Sequence, residues 1–133
     1  MQYAIELEKE HGYVRLTFSE TVTRSLLESS LDETYSALIA NQWNKIFIDF
    51  TRGEISVTQT ELYVLTTMLR SKYHLDTSIA FLARPDQMRT MRFIEMVAYN
   101  HCIDLRAYPD QETALDWLVK CSRYDYQSTR RDE

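Results

Sequence analysis

The chain has 133 residues, a single domain's worth, and its 44% apolar and 26% charged content is that of an ordinary globular protein. Two glycines and two prolines exclude collagen, a Gly/Ser linker and a many-stranded sandwich rich in turns. The net charge of −5 arises wholly in residues 1–66, with 5 basic and 10 acidic side chains against 10 of each in 67–133, and an acidic chain is a poor nucleic-acid binder.

Tyr3-Ala-Ile-Glu-Leu-Glu alternates with the period of a half-buried strand, with Tyr3, Ile5 and Leu7 on one face. A turn follows at Lys9–Gly12, where glycine tolerates a positive φ. Tyr13–Phe18 alternates again and completes a hairpin. From about Thr23 to Asn41 the period becomes helical, with Leu27, Leu31, Tyr35 and Leu38 on one face. Ser25-x-x-Glu28 has the form of a capping box, and Thr23 is a second candidate cap.

Lys45–Phe50 is a nearly continuous apolar run, suited to a central strand covered on both faces. A second helix is expected from Gln59 to Tyr73, opened by the capping box Thr58-x-x-Glu61, with Leu62, Leu65, Leu69 and Tyr73 inward. Ser78–Ala83 is another buried strand, and Pro85 opens a third helix reaching about His101. Asp104–Tyr108 is the last strand. Asp110 then caps a fourth helix through Cys121, carrying Leu115, Trp117 and Leu118. The order ββαβαβαβα implies an α/β fold: one mixed sheet with an N-terminal hairpin, parallel central strands and helical cover. Residues 1–121 form the domain, and 122–133 are a polar, frayed tail.

The N-terminus lacks the basic and apolar regions of a signal peptide, and no apolar run is long enough to span a membrane. The expected location is the cytoplasm, with Cys102 and Cys121 as reduced thiols. They are not spaced as metal ligands, so no metal site is expected. Gly12 and Gly53 stand alone, which sets aside phosphate-binding loops and leaves no cofactor in view. His11, His74 and His101 fall at a turn and two helix ends, outside any nucleophile signature. Asp32-Glu33 reads as solvated charge on a helix face. No catalytic residue is expected.

The strand ending in Asp49, the capped helix after it, Ile79-Ala-Phe-Leu82, and the closing helix Asp110-Gln-Glu-Thr-Ala-Leu-Asp-Trp-Leu118 together resemble the SpoIIAA-like branch of the STAS superfamily. These proteins are bacterial relatives of anti-anti-sigma factors. The resemblance covers about residues 3–120 and lies in the order of elements. It implies a non-enzymatic module that regulates by docking to a protein partner. Phosphorylatable members carry Asp-Ser-Ser/Thr-Gly at the start of the helix after this strand. Here Asp49 keeps its place, but the loop reads Thr51-Arg-Gly-Glu-Ile-Ser-Val-Thr-Gln-Thr60. The Asp-Ser pair and the following glycine are absent, and Ser56 and Thr58 occupy the switch position by spacing. Phosphate there would be favoured by the helix dipole. The plainer role for Thr58 is to cap the helix.

The third helix offers a second candidate region. Arg84 before Pro85, with Arg89 and Arg92 one turn apart, suggests an anion-binding corner at the carboxyl end of a parallel strand. Thr90, Phe93, Ile94 and Val97 form one core stripe, which turns Met88 and Met91 outward beside Arg92 and Tyr99 as adaptable apolar anchors. The expected docking surface is therefore Thr51–Thr60, the start of the second helix, and the third helix. A homodimer through that surface is also consistent with it. The alternative is a carrier or sensor of a small apolar ligand or lipid. Its pocket would lie under the second and third helices, lined by Phe50, Tyr63 and Phe93.

Overall fold

A computed structural model of the chain describes residues 2–121; the polar segment expected over 122–133 lies outside them. The described chain forms β1 (Tyr3–Glu8), β2 (Tyr13–Phe18), β3 (Thr21–Val22), α1 (Arg24–Asn41), β4 (Lys45–Asp49), β5 (Glu54–Ile55), α2 (Gln59–Thr67) and α3 (Leu69–Tyr73). There follow β6 (Ser78–Leu82), a 3-10 turn (Pro85–Gln87), α4 (Met88–Asn100), β7 (Asp104–Tyr108), α5 (Gln111–Asp116) and a π turn (Trp117–Cys121).

The main sheet has five strands in the order β1-β2-β4-β6-β7. β1 and β2 are antiparallel, and the β2–β4, β4–β6 and β6–β7 pairs are all parallel. This is the mixed sheet expected from the sequence. Every residue of β4 and β6 is buried, as continuous apolar runs require of strands covered on both faces. On one side, Ile46, Ile48, Ile79 and Phe81 pack with Leu27, Leu31 and Leu38 of α1 and with Met91 and Ile94 of α4. On the other, Tyr13, Phe47, Ala80 and Leu82 pack under Ala114, Trp117 and Leu118. Lys45 opens β4 buried, with its ammonium donating to the Val119 carbonyl at 3.2 Å. Tyr3 and Ile5 are half-buried on the α1 side, but Leu7, towards the hairpin turn, is 42% exposed.

Thr23 is the cap of α1: its hydroxyl accepts from the Leu26 amide at 3.2 Å. Glu28 of the rival Ser25 box instead pairs with Arg24.

The third helix opens with a 3-10 turn and the fourth closes with a π turn, where single α-helices are expected, and two larger features depart from the sequence reading. The single helix expected over 59–73 is broken at Met68, whose φ of −90° and ψ of −5° leave the α-helical range. Polar side chains that bond back to carbonyls bend helices, and both Thr67 and Ser71 do so here, to Val64 and Met68. The break lets Leu69 enter the core and stacks the Tyr73 ring on Tyr35, centroids 4.0 Å apart. The second departure is the two-residue pair β3–β5, a small parallel sheet outside the main one. No helix among the described residues is long and apolar enough to cross a membrane.

Candidate docking loop and its supports

The segment between β4 and α2 leaves the sheet at Asp49, at the carboxyl end of a central parallel strand. It turns tightly, with the Gly53 amide donating to the Phe50 carbonyl at 3.0 Å. It then adds β5 beside β3, with the Ser56 amide donating to Val22. Gly53 is buried, and a Cβ there would stand 2.9 Å from the Glu20 carbonyl oxygen. Glycine is required by this close approach of two backbones.

Three side chains hold the turn. Asp49 is buried and accepts from both the amide and the hydroxyl of Thr51, at 2.8 and 2.6 Å. Its other oxygen accepts from Arg15, which also donates to Gln111 on α5. Arg84 donates to the Thr51 and Gly53 carbonyls at 2.7 and 3.1 Å. The buried Gln87 amide donates to the Phe50 and Gly53 carbonyls. The loop backbone is thus satisfied by side chains of β4, the 3-10 turn and the residue before it, as buried polar groups require.

Beyond this anchored turn the chain faces solvent. Ser56, Thr58, Gln59 and Thr60 are exposed, and Ile55 and Val57 are half-buried. Thr58 caps α2 reciprocally: its hydroxyl accepts from the Glu61 amide at 3.1 Å, and Glu61 accepts from the Thr58 amide at 2.9 Å. That bond from the Thr58 amide is the main reason the Glu61 carboxyl sits below its ordinary range.

The third-helix candidates are dispersed. Met91 is wholly buried, so it is not a surface anchor; the core stripe of α4 runs through Met91, Ile94, Val97 and Ala98. Phe93 and Thr90 lie at its margin, half-buried, and Met88 is half-buried too. The stripe is rotated by about a sixth of a turn from the expected one, because the two helix flanks face the sheet and α2 rather than solvent. The exposed apolar side chains of α4 are instead Met96 and Tyr99, at 55% and 79%.

The three arginines do not converge on one anion site. Arg84 is already paired with Glu54 and Asp86, at 3.0 and 2.9 Å, and its hydrogen bond holds the Asp86 carboxyl below the usual range. Arg92 turns to Glu95 and the Ala107 carbonyl, and Arg89 is exposed. The expected corner is filled from within by carboxylates.

An apolar cavity of about 50 Å³ lies between the sheet and α1, α2 and α4. Phe50 lines it with Leu62, Met91 and Ile94, whereas Tyr63 and Phe93 do not; Tyr63 is largely exposed. Cavities that take benzene measure about 150 Å³, so this one is too small for a lipid.

The histidines serve structure. His74 closes α3 in the left-handed region, and the His101 ring meets the Val97 carbonyl and the edge of Tyr63. Asp32 and Glu33 bind the hydroxyls of Tyr73 and Tyr3 respectively. No group of three His, Cys, Asp or Glu residues that would hold a metal ion occurs among the described residues.

Sequence reasoning missed Gln87 and the role of Arg84, because the pairing of a side chain with a backbone carbonyl 31 to 37 positions away leaves no periodic trace.

No protein-family model matches the chain, and no curated protein matches it. Solved structures do. One is an uncharacterised protein of the DUF3478 family with a SpoIIAA-like fold from Shewanella loihica PV-4, 18% identical, TM-score 0.57, covering 87% of this chain and 91% of that one. Another is an anti-sigma factor antagonist from Mycobacterium paratuberculosis, 19% identical, TM-score 0.54, covering 87% and 92%. A third is the anti-sigma factor antagonist SpoIIAA in its unphosphorylated form, 12% identical, TM-score 0.55, covering 86% and 94%. At these identities the likeness is one of fold, and the SpoIIAA-like fold expected from the sequence is the fold of this chain.

Proposed function

We propose that this chain is a non-enzymatic regulatory module that binds a protein partner through Thr51–Thr60 and the first turn of α2, with the exposed face of α4 alongside. One observation carries the reading. The turn at Thr51–Gly53 is fixed by Asp49, Arg84 and Gln87, while the next residues, Ser56 to Thr60, stand exposed on a capped helix start. A rigid base under an exposed edge limits the ordering cost of binding. Structures of two anti-sigma factor antagonists share the fold and favour the same reading by analogy.

Thr58 serves this surface first as a cap. Its exposed hydroxyl at a helix N-terminus is also where a phosphate would be electrostatically favoured. Met91 of α4 is buried and contributes nothing to this surface.

Site-specific photocrosslinking tests the proposal. A photoreactive residue at Gln59 or Thr60 is expected to trap one discrete protein adduct in cells, and the same residue at the exposed Ile39 of α1 is expected to trap none. Equal adducts from all three positions, or none from Gln59 and Thr60, would overturn it.

A further inference from the structure

Among the described residues the five-stranded sheet has two free edges, β1 and β7, and an unpaired strand edge invites a second chain. The two edges are protected by different means. Along β7, the Ala83 amide donates to the Tyr108 carbonyl. The backbones of Tyr108, Arg106 and Asp104 therefore face β6, and those of Leu105 and Ala107 face outward.

At Ala107 both outward groups are taken by side chains of α4. The Ala107 amide donates to Glu95 Oε2 at 2.6 Å, and the Ala107 carbonyl accepts from Arg92 Nη1 at 3.2 Å. Arg92 and Glu95 are themselves joined at 2.7 Å. The pair occupies the two hydrogen bonds that a neighbouring strand would make at Ala107.

The charges along each strand indicate why only β7 needs this. Two antiparallel copies of β1 would gather Glu6 and Glu8 of both molecules on one face, and like charges across a strand pair repel. Two copies of β7 centred on Leu105 would set Asp104 of one copy opposite Arg106 of the other, an attractive arrangement. The same contact would cover Met96 and Tyr99, which flank the shallow groove between α4 and β7. β7 is thus complementary to itself in charge and has apolar walls beside it.

We infer that the Arg92–Glu95 pair is an autoinhibitory seal, which holds the β7 edge closed against strand pairing with a second copy of this chain. The inference is independent of the docking loop, and it removes β7 from the surfaces at which a partner adds a strand.

The test compares the parent chain with Glu95→Ala, Glu95→Gln and Arg92→Ala by sedimentation velocity over a concentration series, together with amide exchange. Glu95→Ala is expected to assemble with rising concentration, protecting the Leu105 and Ala107 amides in the assembly. In dilute solution its Ala107 amide is expected to exchange roughly tenfold faster than in the parent. Glu95→Gln keeps an acceptor oxygen at the edge and is expected to sediment as the parent does. Arg92 is largely exposed, so Arg92→Ala keeps the test valid if Glu95→Ala fails to fold; it frees the Ala107 carbonyl and is expected to assemble more weakly. The inference is overturned if Arg92→Ala and any folded Glu95→Ala sediment as the parent at every concentration. It is equally overturned if their assemblies leave β7 amides unprotected, or if the parent itself pairs through β7.

Discussion

Gly53→Ala probes the base of the docking loop directly. The added Cβ would stand 2.9 Å from the Glu20 carbonyl oxygen, 3.1 Å from Val22 Cγ2 and 3.4 Å from Phe18 Cβ. The first neighbour is backbone and the second is fully buried in the β3 strand, so neither yields without moving the β3–β5 pair. Overpacking of this kind costs about 1–3 kcal/mol, offset by up to ~1 kcal/mol from the lower chain entropy of alanine in the unfolded state. With an unfolding entropy of about 2.1 cal/mol/K per residue, a chain of 133 residues loses ~4 °C of melting temperature per kcal/mol. The expected net drop is therefore up to about 12 °C, centred on about 6 °C, by calorimetry. Gly12→Ala is the companion variant. Its φ is +70°, but the nearest neighbour of a Cβ is the Trp43 ring at an ordinary 3.5 Å. Its cost of about 1 kcal/mol comes from the left-handed backbone alone, and its amide shifts are expected to stay within the hairpin turn. Gly53→Ala is expected to shift the amides of Val22, Ile55 and Ser56. A variant that melts with the parent, and leaves those amides unmoved, would refute the claim that close backbone approach fixes the loop.

Thr34→Val is expected to stabilise the fold by ~1 kcal/mol in urea denaturation, because Thr34 Oγ1 is fully buried and has no hydrogen-bond partner. Met91→Ala is expected to cost about 2–5 kcal/mol by enlarging the cavity it lines, whereas an exposed anchor would cost almost nothing. Thr58→Ala is expected to lose about 1 kcal/mol as the α2 cap is removed, and Thr58→Ser to lose much less, both by thermal unfolding. The Glu61 and Asp110 carboxyls are held below their ordinary range, chiefly by the backbone amides of Thr58 and Thr113. Their contribution is complete above the unfolded-state pKa and is lost as pH falls through the lower folded-state value. Asp110→Asn is therefore expected to flatten the acid limb of a stability–pH curve below about pH 4.5, and an unchanged limb would contradict this.

The order of elements was legible because each carries its own period or cap. The hairpin alternates, β4 and β6 are unbroken apolar runs, and Thr58 and Asp110 cap where their side chains predict. What escaped depends on partners far along the chain. Met68 sits inside a sound helical pattern, and the break there, where Thr67 and Ser71 bond back to carbonyls and Tyr73 stacks on Tyr35, leaves no periodic trace. β3 and β5 are two residues each, too short to show alternation. On α4, apolar residues cover more than one face; the stripe expected through Thr90, Phe93, Ile94 and Val97 turned Met91 outward, whereas packing against β7 and α2 buries it. Asp49 was correctly placed at a strand end, but its tie to Arg15 spans 34 positions.

That tie joins the turn to the opposite layer of the sheet. Arg15 reaches Asp49 with the same Nη2 that donates to Gln111, and its guanidinium lies over the Phe47 ring. Phe47 in turn packs in the cluster that holds Trp117. A displacement of the loop is therefore expected to reach the surroundings of an indole on the opposite layer. In a Trp43→Phe background, a partner bound at the proposed Thr51–Thr60 surface is expected to change Trp117 emission, and an unchanged spectrum on binding would contradict the link.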